Sequence, residues 1–319
     1  RISAQEGCSL RLEPSGLVRC ATRATDQWQG TLTGIQQVVA ETLGVKFDAV
    51  TTEDGDGGST PYGGGSWASR GLSVGGEAAR LAAIDLRRKI LGAAAAISQE
   101  TPDNLTLSGG EIFSDGKSLM ALSELARIVH FRQDTLPSDV DCEMNVTRHF
   151  LPRKFPYFMA NGIQASYLEV DLGTGAIKLL DHWVVEDCGL VVNPLLVDEQ
   201  LRGGIVQGLG AVLYEHCLYD SSGQILTASL ADYAVPLASE MPDIHVVHVE
   251  NPTSGTGLGA KGAGEAGTLG APAAVWCAVN DALRPLGAQV WKQPFTAAHI
   301  IEALRSANCP QEASELFEN

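Results

Sequence analysis

A glutamate in a glycine-rich loop near the end of the chain is the residue best placed to do chemistry. Residues 255–270 read GTGLGAKGAGEAGTLG, and the ionisable side chains among them are Lys261 and Glu265. A backbone with few side chains lets a ligand approach the main chain, and a carboxylate beside it is a candidate acid or base. A glycine-rich connection in which a glutamate only complements a helix dipole is equally ordinary. The loop alone leaves both interpretations open.

The segment after this loop predicts the helix that must position it. Residues 271–283 are apolar with helical spacing, Thr268 is a suitable N-cap, and Pro272 suits the first turn. No clear strand leads into the loop, so it does not fit the dinucleotide-binding fingerprint of a βαβ unit.

Two other loops have the same character. Residues 27–34 place the amides of Gln27 and Gln29 ahead of a predicted helix, and residues 63–71 place Ser66, Ser69 and Arg70 ahead of another. Amides, hydroxyls and bare N–H groups can bind a polar heterocycle and its phosphates, and an arginine can pair with phosphate through two hydrogen bonds. Each loop could also be a simple turn. Three in one chain favour a large, phosphate-bearing cofactor.

Composition limits the class of protein. The chain has 319 residues, of which 45% are hydrophobic, and a net charge of −16. No apolar run reaches the roughly 18 residues of a membrane helix, so no membrane insertion is expected. The acidity argues against nucleic acid as a partner. Seven cysteines without a CxxC motif predict neither a disulfide framework nor an iron–sulfur or zinc site in this chain, and a reducing, cytoplasmic location is expected.

Periodicity predicts an α+β fold with two subdomains of mixed sheet and helix. Strands and helices mix without strict βαβ alternation. Residues 131–145 show no strong period, which places a boundary there and divides the chain into residues 1–145 and 146–319. Hairpins are predicted at 9–19, 105–113 and 166–186, a strand at 47–51, a strand at 244–250, and helices at 35–44, 74–95, 118–129, 194–217 and 296–306. His245 and His248 are expected on opposite faces of their strand, which argues against a shared metal.

Several ordered motifs resemble the xanthine oxidase family of molybdenum hydroxylases, in the C-terminal half of the molybdopterin-binding large subunit. Residues 261–274, KGAGEAGTLGAPAA, match that family's KGxGE loop followed by GxPAA. The other matching stretches are Gln29-Gly30, Ala68 to Arg70, EDCGLVVNP at 186–194, QLRGGIVQGLGAVLYE at 200–215 and DYAVP at 232–236. The resemblance covers about residues 7–306.

The resemblance implies roles for individual residues. Gln29 and Gly30 are expected near the pterin and its phosphates, and Ala68, Ser69 and Arg70 at the phosphate or nucleotide part. Gln200 is expected to hydrogen-bond the pterin region. The main chain of Lys261, Gly262, Ala263 and Gly264 is expected to line the metal site, with no protein ligand to the metal from this chain. Glu265 matches the catalytic base of a hydroxylation that uses water-derived oxygen, on an N-heterocycle or an aldehyde carbon.

The resemblance also implies partners. The cofactor is expected to be molybdopterin cytosine dinucleotide carrying molybdenum, shared with an N-terminal half that this chain lacks, as in split enzymes such as nicotinate dehydrogenase. Iron–sulfur and FAD subunits are expected to carry [2Fe–2S] clusters and flavin. Trp28 stands where the family often has glycine. A non-catalytic assembly or binding subunit, and a subunit like that of carbon monoxide dehydrogenase, remain open alternatives.

Overall fold

The computed structural model describes residues 5–153 and 158–307 and contains mixed strands and helices, as expected for an α+β fold. The strands are β1 (Glu6–Leu12), β2 (Val18–Thr22), β3 (Val50–Asp54), β4 (Leu105–Ser108), β5 (Glu111–Ser114), β6 (Lys117–Ala121), β7 (Asn145–Phe150), β8 (Asn161–Val170), β9 (Ile177–Asp187) and β10 (Ile244–His248). The α-helices are α1 (Thr31–Leu43), α2 (Glu77–Ser98), α3 (Leu122–Phe131), α4 (Pro194–Leu213), α5 (Ala266–Leu283) and α6 (Ala297–Ser306). Within the described ranges, no helix is both long and apolar enough to cross a bilayer.

The first sheet has the strand order β3-β2-β1-β7 and is covered by α1 and α2. The predicted hairpin of β1 and β2 is confirmed, and alternate β1 residues, such as Cys8, Leu10 and Leu12, enter the core. β2 and β3 run parallel, with α1 between them in sequence. The strand predicted at 47–51 is displaced, because residues 47–49 form a 3₁₀ turn and β3 begins at Val50. Pairing with β2 defines β3 more strongly than local propensity does.

A three-stranded antiparallel meander, β4-β5-β6, follows α2. The predicted pair at 105–113 is confirmed, with Leu105, Leu107 and Ile112 pointing into the core. The helix predicted from residue 118 begins only at Leu122, because the preceding residues form β6. Ser118 pairs with Phe113 across the meander, and this non-local pairing decides the state of a segment that could equally be helical.

The third sheet has the order β10-β9-β8 and packs α4 and α5 on one face. The hairpin predicted at 166–186 is confirmed and is longer than expected, since β8 and β9 pair from Asn161 to Asp187. β9 and β10 run parallel. His245 and His248 lie on opposite faces as predicted: His245 stacks on Trp183, and His248 bonds Asp198 of α4.

The chain forms two compact units. The first contains Arg1–Met159, Cys188–Leu196 and Glu250–Gly262, and the second contains Ala160–Asp187, Val197–Val249 and Ala263–Asn319. This segmentation differs from a single division after residue 145, because β7 pairs with β1 and two later segments return to the first unit. The assignment of residues 1–145 and 146–319 to two cofactor-binding subdomains stays a prediction.

Candidate functional site

The first unit brings the three glycine-rich loops of the sequence together. A Cβ built on Gly262 would lie 2.6 Å from the carbonyl oxygen of Ser69, so the loop at 261–262 runs directly over the loop at 68–70. A Cβ on Gly71 would lie 3.1 Å from Cγ2 of Thr31, the residue after Gly30. The Gly262 contact is with backbone and excludes a side chain there, whereas the Gly71 contact is tight but is made with the Thr31 side chain. Seven predicted site residues therefore occupy one region of this unit: Gln29, Gly30, Ala68, Ser69, Arg70, Lys261 and Gly262.

Main-chain hydrogen bonds hold the Lys261–Gly262 dipeptide in place. The Lys261 N–H donates to the carbonyl of Cys188 at 2.7 Å, and the Gly262 N–H donates to Phe158 at 2.8 Å. Ala260 forms a β-bridge with Gly189. Residues 188–189 belong to the EDCGLVVNP motif. That motif therefore supports the backbone of the KGxGE loop at residues 260–261.

The loop at 63–70 is fixed by a buried ion pair rather than left open. Arg70 and Glu6 are both 1% exposed, and their nearest N and O atoms lie 3.0 Å apart. Arg70 also donates to the carbonyls of Gln5 and Gly65, and its guanidinium lies over the ring of Trp67. Burial raises the pKa of Glu6, an effect that the adjacent Arg70 partly offsets. The guanidinium that was expected to meet a phosphate is engaged with β1 and its own loop.

Ala68 and Ser69 adopt left-handed backbone conformations, with φ of 48° and 55°. Such residues without glycine's freedom store roughly 1–2 kcal/mol each and persist where the surroundings hold them. The left-handed Ser69 is followed by Arg70, whose φ of −92° is right-handed. Such a pair orients main-chain N–H groups toward one point, which is the geometry of an anion-binding concavity. The backbone of Ala68 and Ser69, more than the Arg70 side chain, is therefore the part of this loop suited to a phosphate.

The carboxylate of Asp26 binds the main-chain N–H groups at the start of α1. One carboxylate oxygen of Asp26 accepts from the N–H groups of Gln29 at 3.0 Å and Gly30 at 3.2 Å, and the other accepts from Leu32 at 3.3 Å. These are the N–H groups that a phosphate at the helix N-terminus would use. The main-chain donors of Gln29 and Gly30 are thus satisfied by Asp26, which sequence reasoning missed because an aspartate three residues upstream also fits a simple turn.

Trp28 projects from this loop into solvent. Its side chain is fully exposed and its φ is 69°, in the left-handed region that glycine enters at no steric cost. A glycine, which the resemblance leads us to expect at this position, would adopt this conformation without strain. In this chain an indole takes its place.

Glu265 is exposed and forms the N-cap of α5 in the second unit. The prediction that Thr268 caps this helix is wrong, because α5 begins two residues earlier, at Ala266. The Thr268 hydroxyl instead donates to the carbonyl of Gly204 at 3.0 Å. Pro272 lies inside α5, where it lacks the N–H that would bond residue 268.

One face of α4 supports the loop that carries Glu265. Gln200, Gly204 and Gly208 are spaced four residues apart and so share a helix face. Gln200 donates its amide to the carbonyl of Gly264 at 2.7 Å. A Cβ on Gly208 would lie 2.9 Å from the carbonyl oxygen of Thr268, so the two helices touch backbone to backbone. The structure thus gives Gln200 a contact with the residue immediately before Glu265.

Four of the predicted site residues therefore lie in the second unit: Gln200, Ala263, Gly264 and Glu265. Sequence reasoning missed Gln164 on β8, whose amide meets the first turn of α5. The sequence feature that could have indicated Gln164 is a polar residue at an inward-facing position of a strand with alternating burial. Among the described residues, no three His, Cys, Asp or Glu side chains cluster so as to ligate a metal ion.

Comparison with known proteins finds a family model for this architecture. The model of the molybdopterin cofactor-binding domain matches residues 1–242. The large subunit of nicotine 6-hydroxylase from Paenarthrobacter nicotinovorans is 32% identical over 315 residues, which is 97% of this chain and 38% of that subunit. The large chain of carbon monoxide dehydrogenase from Hydrogenophaga pseudoflava is 26% identical, over 95% of this chain and 37% of its own length.

A solved structure has the same fold. The crystal structure of quinoline 2-oxidoreductase from Pseudomonas putida 86 superimposes with a TM-score of 0.85 at 32% identity, over 94% of this chain and 38% of that one. The chain thus spans somewhat more than a third of the length of the relatives that it matches.

Proposed function

The chain belongs to the molybdopterin cofactor-binding domain family, in the molybdenum-binding subunits of the xanthine oxidase family, and from that premise we propose that it is the C-terminal part of the large subunit of a molybdenum hydroxylase. The reaction is the insertion of water-derived oxygen at an electron-poor carbon of an N-heterocycle or an aldehyde. The observation that carries the proposal is the meeting of three glycine-rich loops in the first unit, at Gly262, Ser69 and Gly71.

The residues present fit a large anionic cofactor. A Cβ on Gly262 would strike the carbonyl of Ser69, and one on Gly71 would press on the Thr31 side chain, so these two glycines let the three loops that would receive the cofactor pack closely. The left-handed Ser69 followed by the right-handed Arg70 supplies main chain of the kind that holds phosphate. Because Asp26 uses the N–H groups of Gln29 and Gly30, the contribution of that loop is the Gln29 amide side chain. Lys261 is the one cationic residue within residues 255–270.

Glu265 acts as the general base in this proposal. The bound cofactor supplies the Lewis acid and the electron sink of the reaction. Glu265 accepts the proton of the water-derived hydroxyl group as that oxygen attacks the substrate carbon. Its backbone is held at the preceding residue by Gln200, so the carboxylate is carried on a supported turn rather than on a free loop.

The substrate class rests on relative similarity. The chain is 32% identical to the large subunit of nicotine 6-hydroxylase and to quinoline 2-oxidoreductase, against 26% for the carbon monoxide dehydrogenase large chain. Both of the former names state a nitrogen heterocycle. An N-heterocycle is therefore the substrate that we favour, with an aldehyde second.

An exposed apolar sheet face is evidence for a partner that supplies the remainder of the relatives' subunit. On the outward face of β8-β9-β10, Ile163, Val185 and Val247 form one row across the strands, and Ala165, Trp183 and His245 form the next. Ile163 is 77% exposed and Val247 53% exposed. A sheet face of this composition is normally covered. The relatives are more than twice as long as this chain, and we propose that their unmatched part, here an N-terminal half, packs on this face.

The finer features of the assembly follow from the same proposal. The cofactor is molybdopterin cytosine dinucleotide, shared with the N-terminal half. Electrons leave through an iron–sulfur subunit with [2Fe–2S] clusters to a subunit that binds FAD. The assembly works in the cytoplasm, where the free thiols of Cys8 and Cys20, 3.5 Å apart, stay reduced.

The test is the molybdenum content and the cytidine monophosphate released by acid hydrolysis, for the chain purified with its partners and for the chain alone. The proposal expects stoichiometric metal and nucleotide in the assembly and little in the isolated chain. The assembly should then oxidise nicotine, quinoline or an aromatic aldehyde with an artificial electron acceptor. Absence of metal and nucleotide in an intact assembly would favour a non-catalytic assembly subunit. Turnover of carbon monoxide alone would favour a subunit like that of carbon monoxide dehydrogenase.

A further inference from the structure

A line of polar side chains crosses the inward face of β8 and β9 and ends on the first turn of α5. The amide nitrogen of Gln164 lies 2.9 Å from the carbonyl oxygen of Gly267 and 3.3 Å from that of Ala266. The Gln164 side-chain oxygen lies 3.1 Å from Nε2 of His182, and Nδ1 of His182 lies 2.9 Å from the hydroxyl of Ser166.

The carbonyl groups of Ala266 and Gly267, where this line ends, determine which atom donates in each of its hydrogen bonds. Carbonyl oxygens only accept, so the Gln164 nitrogen faces α5 and its oxygen faces His182. His182 must then donate from Nε2 and accept at Nδ1 from the Ser166 hydroxyl. Burial lowers the pKa of His182 to about 4, so the ring is neutral near pH 7 and keeps this arrangement. The orientation of the Gln164 amide is thereby determined by its neighbours.

The surrounding core is built to admit this side chain. A Cβ on Gly270 would lie 2.8 Å from Cδ of Gln164, so a glycine on α5 leaves the space that the amide fills. The hydrophobic cluster of this sheet includes Leu168, Val184 and Val275. Polar groups in such a core stabilise the fold only slightly even when satisfied, and an apolar residue at position 164 would serve packing equally well. The amide is therefore specific to the turn that it holds.

We propose that Gln164 is a positioning residue for Glu265. It holds the carbonyls of the two residues after Glu265, while Gln200 holds the carbonyl of Gly264 before it. His182 and Ser166 keep the Gln164 amide in the orientation that this contact needs. The inference rests on the proposed role of Glu265 as base. Its physical consequence is that the carboxylate is carried by a backbone restrained on both sides.

The first test needs no catalytic activity. In Gln164→Leu, hydrogen exchange of the peptide covering residues 262–271 should accelerate about tenfold, and carbodiimide labelling of the Glu265 carboxylate should change in rate. Gln164→Glu keeps the shape but, once ionised, has no donor, so it should lose the same protection. A residue that only fills volume would leave the glutamate variant like the wild type. Ser166→Ala is a milder variant and should show a smaller change in the same direction.

Gln36 offers a matched control. Its amide also bridges two carbonyls, those of Phe47 at 2.9 Å and Val50 at 2.7 Å, but it does so in the first unit. Gln36→Leu removes the same kind of contact and should leave exchange at 262–271 and the labelling of Glu265 as they are. Equal effects of the two variants on residues 262–271 would show a general loss of stability and overturn the proposal.

The second test uses the assembled enzyme. A displacement of about 1 Å at a catalytic group lowers the rate by about a hundredfold. Gln164→Leu should lower kcat between roughly 10- and 100-fold with KM and molybdenum content unchanged, whereas Gln36→Leu should not. Faster exchange with an unchanged kcat would overturn the positioning role and leave the hydroxylase assignment standing. An assembly without hydroxylase activity would remove that assignment, and unaltered exchange and labelling in Gln164→Leu would overturn the restraint itself.

Discussion

Two buried ionisable groups on one face of β9 tie stability to pH in opposite directions. Burial lowers the pKa of His182 to about 4. Burial, assisted by the charge of Asp187, raises the pKa of Glu186 to about 7, with His248 acting the other way. Both side chains are at most 2% exposed. They share the inward face of one strand, four residues apart.

The signs follow from which state binds the proton. Between pH 6.5 and 4 the unfolded histidine is protonated and the folded one is not, so His182 lowers stability as the pH falls. Between pH 7 and 4.5 the folded glutamate is protonated and the unfolded one is not, so Glu186 raises stability as the pH falls. From about pH 6.4 to about pH 5.2 each changes the free energy of unfolding by roughly 1 kcal/mol, and because the signs are opposite the two changes largely offset each other.

Substitution of either His182 or Glu186 should reveal the pH dependence of stability that the other one causes. Urea unfolding followed by tryptophan fluorescence at both pH values gives the difference between each variant and the wild type, which removes the contributions of all other groups. From about pH 6.4 to about pH 5.2, Glu186→Gln should lose roughly 1 kcal/mol of stability relative to wild type, and His182→Gln should gain about as much. The exposed Lys178→Gln on the same strand should show no such change. Parallel pH dependence for the wild type and both variants would refute the argument.

The remaining predictions concern the site and its support. Glu265→Gln should keep molybdenum and nucleotide in the assembly but lower kcat by about 10²–10⁴-fold, since it removes the base and little else, and near-normal turnover would contradict the assignment. Arg70→Leu should cost about 3 kcal/mol or more in urea unfolding, because it leaves Glu6 buried without its partner. Gly262→Ala should reduce the cytidine monophosphate retained by the assembly, since its Cβ would strike the carbonyl of Ser69, and full retention would show that the close approach is unimportant.

Local patterns were enough to predict most elements of the fold. The hairpins of β1–β2 and β8–β9 and the helix α1 follow from alternation, helical spacing and turn glycines, all of which act over a few residues. Predictions failed where a distant partner decided the outcome. β6 replaces the start of a helix because β5 lies beside it. The Thr268 hydroxyl, expected to cap α5, bonds the carbonyl of Gly204 on α4 instead.

By itself the sequence determined which residue types were available: three glycine-rich loops, one carboxylate at position 265, and motifs that identify the family. Only the tertiary structure decided how each is used. Arg70 is committed to Glu6, 64 residues away, and Gln164 reaches Gly267, 103 residues away. Asp26 accepts hydrogen bonds from the N–H groups at the start of α1. The physical reason is that a hydrogen bond or ion pair depends on distance in space, whereas the signals readable in a sequence arise from spacing along the chain.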